Sequence, residues 1–371
     1  MRAWYIIVAQ RIEPRKESGC YIMVSFASDY QEGAHPSILE RMCATNLNKM
    51  PGYGTDEICE AARNKIRAAI DCQEADVHFL VGGTQTNAIV IGALLAPYQG
   101  VIAPESGHIS QHEAGAIEAG GHKVLALPHR LGKLDARTVR DCCASFWDDG
   151  NHDHMVFPGM VYLSQPTEYG TLYSLSELAA IREVCDEYDL PLYVDGARLA
   201  YALACKQNDV SLADLARLCD VFYLGGTKCG ALFGEAVVVP NPTLLPHFFT
   251  TIKQRGALLA KGWLLGIQFD ELFANNLYLG IGKPAIRSAN TIRARLAQAG
   301  YELAFDSPTN QVFVALTDDE VERLKGKVAY SFWERRDDGR TIVRLASSWA
   351  TTEEQTLQLL KAFAQSVARV R

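Results

Sequence analysis

The 371-residue chain has no apolar run long enough to cross a bilayer. The longest, from Ala88 to Tyr98, falls well short of the about 20 residues that a span requires. Nor is there an excess of positive charge: 36 Lys+Arg stand against 43 Asp+Glu, a formal net charge of −7. Nothing in that balance favours nucleic acid or an anionic membrane, and neither is expected as a partner. The ten cysteines form no C-x-x-C pair, and several fall on faces that read as buried. With no export signal ahead of them, they argue for a reduced, cytoplasmic setting and against a disulfide framework. Internal repeats and low-complexity tracts are absent. At 48% apolar and 21% charged residues, the composition excludes disordered, collagen-like and coiled-coil chains. Residues 1–20 also lack the order of a signal peptide, since the apolar stretch Trp4 to Ala9 precedes the charges at Arg11, Glu13, Arg15, Lys16 and Glu17. Residues 1–22 are expected to be an N-terminal extension, with the folded pattern beginning near Ser25.

From residue 55 to 240 helix-like and strand-like segments alternate. Ile58, Ala62, Ile66, Ala69 and Ile70 recur at helical spacing over 55–71. Short apolar strands are expected at 77–81, 101–103, 124–127, 192–194 and 221–224, with extended chain over 156–163. Helices are expected between them, including 112–119, 134–147 and 212–218. The helix after Ser174 is the best marked, because Ser174-Leu-Ser-Glu177 is a capping box in which hydroxyl and carboxylate satisfy reciprocal backbone N–H groups. Strands apolar on both faces, separated by helices, imply an α/β fold with a mostly parallel central sheet covered on both sides. Beyond Pro240 helices are expected over 248–278 and 284–299, strands at 311–316 and 341–346, and a closing helix over 353–370. These form a smaller C-terminal α+β domain. The expected division is a large domain over 23–275 and a small one over 276–371.

Three features converge on the carboxyl edge of that sheet, where open parallel sheets bind ligands. Asp195 closes one strand, and Lys228 lies just past the end of the next. Gly82-Gly83-Thr84 opens a helix, where free N–H groups and the helix dipole favour a phosphate. An amine, a carboxylate and a phosphate cradle are what pyridoxal 5'-phosphate requires. The lysine forms a Schiff base, the carboxylate keeps the ring nitrogen protonated, and the helix terminus holds the phosphate. Taken singly, each has a plainer reading: a turn, a strand-ending cap, a solvated loop lysine. His152 and His154 flank Asp153 in a polar stretch with no third ligand marked, so no metal site is expected. The charged run 334–338 reads as an exposed turn.

Further matches run in order along the chain: Ser25-Phe-Ala-Ser-Asp-Tyr30, Tyr53-Gly-Thr-Asp-Glu57, Gly83-Thr84, His108, Val194-Asp-Gly-Ala-Arg198, Gly226-Thr-Lys-Cys-Gly230, Thr309-Asn310 and Val343-Arg-Leu345. On these residues the sequence resembles the pyridoxal phosphate enzymes of the aspartate aminotransferase type, fold type I. Among them it most resembles the L-threonine aldolase or beta-eliminating lyase family, on the branch that includes phenylserine aldolase. The resemblance covers nearly the whole chain from Ser25 onward.

It implies that Lys228 carries the cofactor, Asp195 pairs with the pyridine nitrogen, and His108 stacks on the ring. Gly83 and Thr84 would hold the phosphate, with Thr227 nearby. Lys261 would reach the phosphate of a neighbouring subunit, which makes the protein a homodimer or homotetramer with active sites at the subunit interface. Ser28, Arg198 and Arg344 would grip the substrate carboxylate, a task suited to the planar fork of arginine. One departure stands out. Where many threonine aldolases read Glu-Asn-Thr-His, this chain reads Ser164-Gln-Pro-Thr-Glu168, so Glu168 replaces a histidine that faces the substrate hydroxyl. The implied activity is cleavage of an amino acid substrate of the L-β-hydroxy class (L-threonine, L-allo-threonine or L-phenylserine) to glycine and an aldehyde. The base is His108, Glu168 or a water between them. β-Elimination, transamination and a non-catalytic binding role are the competing readings.

Overall fold

Seven strands form the central sheet of the computed structural model, which describes residues 23–367: β1 (Asp76–Leu80), β2 (Gln99–Pro104), β3 (Val124–Leu127), β4 (Phe157–Ser164), β5 (Leu192–Asp195), β6 (Val221–Gly225) and β7 (Glu235–Val239). The expected extension 1–22 and the end of the expected closing helix lie outside the described residues. The strand order is β1-β7-β6-β5-β4-β2-β3. Every pairing is parallel except those of β7, which runs antiparallel to both β1 and β6. Successive side chains point to opposite faces, and here both faces are core. Val161, Leu163, Val194, Phe222 and Leu224 enter one apolar cluster, while Met160, Tyr162, Tyr193, Val221 and Tyr223 enter the other. That is why these strands read as unbroken apolar runs rather than alternating ones.

β7 was not among the expected strands. Its Ala-Val-Val-Val run suits a buried strand, but the turn of 226–234 is too short for a helical crossover, so the chain can only return antiparallel. The helix expected over 112–119 is instead two short ones, His108–Gln111 and Ala116–Ala119, broken where Ala114 and Gly115 take positive φ. The capping box is formed as expected: Glu177 N–H donates to Ser174 Oγ (3.2 Å), and Ser174 N–H donates to Glu177 Oε2 (2.8 Å).

A second, antiparallel sheet contains β8 (Glu302–Leu303), β9 (Gln311–Leu316), β10 (Ser331–Arg335) and β11 (Thr341–Ala346) in the order β10-β11-β9-β8. β10 occupies part of the stretch read as an exposed turn. The turn itself follows it, with Arg335 and Arg336 paired to Asp318 and Glu302. The N-terminal arm joins this part of the molecule. Val24–Ser25 pairs in parallel with Val328–Ala329, and Val24 and Phe26 are buried with Leu345, Leu359 and Phe363. Anchoring the arm there delivers Ser28 and Asp29 to the carboxyl edge of the large sheet.

Candidate active site

The carboxyl ends of β1, β4, β5 and β6 border a cavity of about 310 Å³. A close approach of two loops builds its floor. A Cβ on Gly196 would lie 1.9 Å from the Tyr223 carbonyl oxygen, and one on Gly225 would lie 2.4 Å from that of Ala197. Only glycine allows the turn after Asp195 to meet the turn before Lys228. Asp195 and Lys228 therefore line the same cavity, together with Gly83, Thr84, His108 and Thr227.

Asp195 is 4% exposed and fully engaged. Its Oδ1 accepts from Tyr223 OH (2.6 Å) and Ala197 N–H (2.9 Å), and its Oδ2 from Tyr162 OH (2.7 Å) and Asn87 Nδ2 (3.2 Å). Burial works against its charge, but the field of His108 and these donors outweigh it, so the carboxyl lies below the ordinary aspartate range. Burial, with the charge of Asp195 second, pushes the Tyr162 and Tyr223 phenols far up, so both remain donors. Across the cavity, burial and then the charge of Arg198 lower the pKa of Lys228 below the usual lysine value. A desolvated lysine beside another cation gains neutral, nucleophilic character.

Gly82 caps the helix Gly83–Leu94 without any side-chain hydrogen bond to its first turn, so those N–H groups face the cavity unclaimed by a cap. The Thr227 hydroxyl accepts from Gly234 N–H (3.0 Å). Glu235 reaches the same end, its Oε2 accepting from Gly226 N–H (3.0 Å), and burial pushes its carboxyl up to about 8.

His108 is placed by two acids. Its Nδ1 lies 2.8 Å from Glu113 Oε1, and its backbone N–H donates to Glu168 Oε1 (2.9 Å). Glu168 Oε1 also accepts from Ser164 Oγ (2.7 Å), while its Oε2 is buried without a partner. Burial dominates there and raises the Glu168 carboxyl above the ordinary glutamate value.

The two arginines differ sharply. Arg198 donates from Nε to Asp29 Oδ2 (2.6 Å) and from Nη2 to Asp29 Oδ1 (3.0 Å), a bidentate pair in which Asp29 is buried and Arg198 mostly so. Asn310 Nδ2 donates to the same carboxylate (2.9 Å). Arg198 thus has an acid partner inside the protein, a pairing the sequence reading had not foreseen, and it also lines both cavities. Arg344 has only neutral partners, Gln311 Oε1 (3.2 Å) and Ser331 Oγ (3.4 Å), and its Nε is buried without one. Burial, then repulsion from Arg198, lowers its pKa to about 10. Ser28 Oγ is likewise buried and unpartnered. An adjoining cavity of about 350 Å³ joins Arg344 to His108, Glu168 and Lys228 and continues to Trp333. Trp333 and Phe332 also wall a chamber of about 320 Å³ with His129 and Tyr169.

Of the residues expected at the site, two line neither cavity. Ser28 lies on the arm beside Asp29, and Lys261 is exposed, ahead of the helix Trp263–Leu272. Asp29, Asn87, Glu113, Tyr162, Tyr223 and Glu235 were missed. Asp29 lay inside a quoted matching segment; the others carried no sequence signal beyond their own residue type. Among the described residues, no three His, Cys, Asp or Glu side chains converge to hold a metal ion.

The sequence matches the beta-eliminating lyase family over residues 25–319. The chain belongs to that family. Similar relatives include a low specificity L-threonine aldolase of Pseudomonas aeruginosa, 31% identical over 91% of this chain and 96% of the relative. Another, from a Pseudomonas species, is 30% identical over 90% of this chain and 95% of its own. Among solved structures, the threonine aldolase of Leishmania major is 43% identical, with a TM-score of 0.89 over 92% of this chain and 99% of that chain. A single-mutant aspartate aminotransferase of Thermus thermophilus, 18% identical, superposes with a TM-score of 0.69 over 93% of this chain and 91% of its own. The fold is therefore the aspartate-aminotransferase-like fold type I. Family membership implies pyridoxal 5'-phosphate as cofactor.

Proposed function

We propose that the protein is a pyridoxal phosphate-dependent carbon–carbon lyase that cleaves L-β-hydroxy-α-amino acids, among them L-threonine, L-allo-threonine and L-phenylserine, to glycine and an aldehyde. The observation that carries this reading is the meeting, in one cavity, of the Lys228 amine, the Asp195 carboxylate kept charged at depth, and the uncapped start of the helix Gly83–Leu94. The printed activities of the relatives support it.

The residues fit the cofactor. Asp195 supplies a buried anion for a protonated ring nitrogen, and Lys228 supplies an amine with weakened hold on its proton. Gly83, Thr84 and Thr227 supply the N–H and hydroxyl groups for a phosphate, and His108 supplies a ring at the cavity wall. When bound, pyridoxal phosphate provides a carbonyl that condenses with amines and a protonated ring that accepts the electron pair of a broken Cα–Cβ bond.

The chain's own residues do the rest. Arg344, with no acid of its own, and Ser28, with an unpartnered hydroxyl, hold the substrate carboxylate, and Arg198 braces that wall through Asp29. Fixing the carboxylate decides which bond at Cα is aligned for cleavage. His108 receives the β-hydroxyl proton, with Glu168 Oε2 the neighbouring carboxyl oxygen. The β-substituent extends toward Trp333, Phe332 and Tyr169, an aromatic wall that suits an aryl group as well as a methyl. Lys261, exposed on one subunit, reaches the phosphate of the next in a homodimer or homotetramer. The large domain spans 23–275, its N-terminal arm crossing to the small domain of 276–371, and the enzyme works in the cytoplasm.

A panel of β-hydroxy-α-amino acids tests the reading. Glycine and an aldehyde in equal amounts are expected. Pyruvate with ammonia would make the protein an eliminating lyase, and a requirement for an oxo acid acceptor would make it a transaminase.

A further inference from the structure

Beneath the cavity lies a buried polar chain that the reaction as described does not use. Glu113 is 5% exposed, and its Oε1 sits between two donors: His108 Nδ1 at 2.8 Å and Asn87 Nδ2 at 2.7 Å. Asn87, fully buried, also donates to Asp195 Oδ2 (3.2 Å), and its Oδ1 accepts from Tyr193 OH (2.8 Å). One amide thus ties together the two carboxylates behind the site. Its donors face the acids and its acceptor faces a phenol, so the amide orientation is dictated by its surroundings. A carboxylate can only accept. Facing one, His108 must carry a proton on Nδ1, and in the neutral ring that leaves the Nε2 lone pair for the other side. His108 lines both cavities beside Glu168 and Lys228.

We propose that Glu113 and Asn87 are positioning residues: Glu113 fixes the tautomer and orientation of His108, and Asn87 holds Glu113 in register with Asp195. His108 then presents a proton acceptor to the substrate while Asp195 remains charged. The proposal rests on the proposed function only in giving that acceptor its task. Neither residue touches the reacting atoms. The plainer alternative is that both merely fill a polar niche in the core.

The direct test is the tautomer. The holoenzyme is prepared with ¹⁵N-labelled histidine, and the signals of His108 among the nine histidines are assigned with a His108→Asn sample. At neutral pH the wild type is expected to show a protonated Nδ1 and a bare Nε2. A proton on Nε2 alone, or on both nitrogens, would overturn the proposal even if no variant folds. Glu113→Gln keeps the shape and an acceptor oxygen but loses the charge. It is expected to mix the tautomers and to lower kcat about ten- to a hundredfold, with KM within about threefold, the split expected when acid–base chemistry rather than binding is damaged. A folded Glu113→Gln enzyme with unchanged tautomer and kcat would mean that Glu113 only packs. Asn87→Ala is expected to shift the absorbance maximum of the bound cofactor and to speed cofactor loss on dialysis about fivefold or more; no change in either removes Asn87 from the assignment. Should the wild type release no glycine from any β-hydroxy amino acid, the proposed function fails, while the spectrum still reports the tautomer.

Discussion

The floor of the cavity and its outer seam are built on opposite plans. On the floor, Asp195 has four donors, two of them on strands of the sheet, one on the helix Gly83–Leu94 and one in the turn that follows Asp195. At the seam, Ser28 Oγ, Arg344 Nε and Glu168 Oε2 are buried with no partner. A buried polar group without a hydrogen bond costs about 1–3 kcal/mol. The floor avoids that cost by satisfying its charge in advance, whereas the seam bears it until a ligand arrives. At Asp195 hydrogen bonding is completed where the protein holds a charge, and at the seam it is left open where a ligand is to bind. Arg198 and Arg344 restate the contrast within one residue type, the first paired to Asp29 and the second without an acid.

Breaking the floor should have the largest effect. Lys228→Ala is expected to lower glycine release by at least about 10⁴-fold while circular dichroism stays unchanged, because the lost amine serves chemistry rather than packing. Separating the two arginines comes next. Asp29→Asn leaves the Arg198 guanidinium buried without its counter-charge and should cost about 3 kcal/mol of stability, read as a lower Tm. Arg344→Ala should barely move Tm. Instead it should raise KM and lower kcat/KM about a hundredfold, the loss of a charge-assisted contact to substrate. If Arg198 and Arg344 behaved alike, the contrast would be wrong.

Glu235 sharpens the comparison through pH. Its folded carboxyl is pushed up to about 8 by burial, against 4.5 in the unfolded chain. Between those values the unfolded chain gives up the proton while the folded one keeps it, so this group makes stability fall as pH rises through that window and level off above about 8. Glu235→Gln, which can still accept from Gly226 N–H, should raise the Tm of cofactor-free protein by roughly 3 °C or more above pH 8 and change it little near pH 4.5. The smallest effect belongs to the aromatic wall. Trp333→Ala should lower kcat/KM for L-phenylserine about tenfold and for L-threonine less than about threefold.

Much of the floor was legible in the sequence because it follows from strand ends. Asp195 and Lys228 stand where parallel strands stop, and Gly83 where a helix begins, so a correct sheet places all three. The seam was harder. Ser28 and Arg344 were recognised only by resemblance, and the commitment of Arg198 was hidden because its partner Asp29 lies 169 positions away and arrives on an arm that pairs with the far end of the chain. The network behind Asp195 was equally hidden: Tyr162, Tyr193 and Tyr223 read as core aromatics, as they are, and their hydroxyls acquire meaning only when the sheet aligns them on one face. β7 escaped because its short, unbroken apolar run carries no period of its own and follows β6 with no helix between them.

The central claim is that the Lys228 amine is the group that takes up pyridoxal phosphate at this floor. Loading the protein with the cofactor, reducing with borohydride and mapping the peptides by mass spectrometry tests it most directly. One label per chain, on the peptide containing Lys228 and absent from Lys228→Ala, is the predicted result; a label on another lysine, or scattered over several, would contradict it.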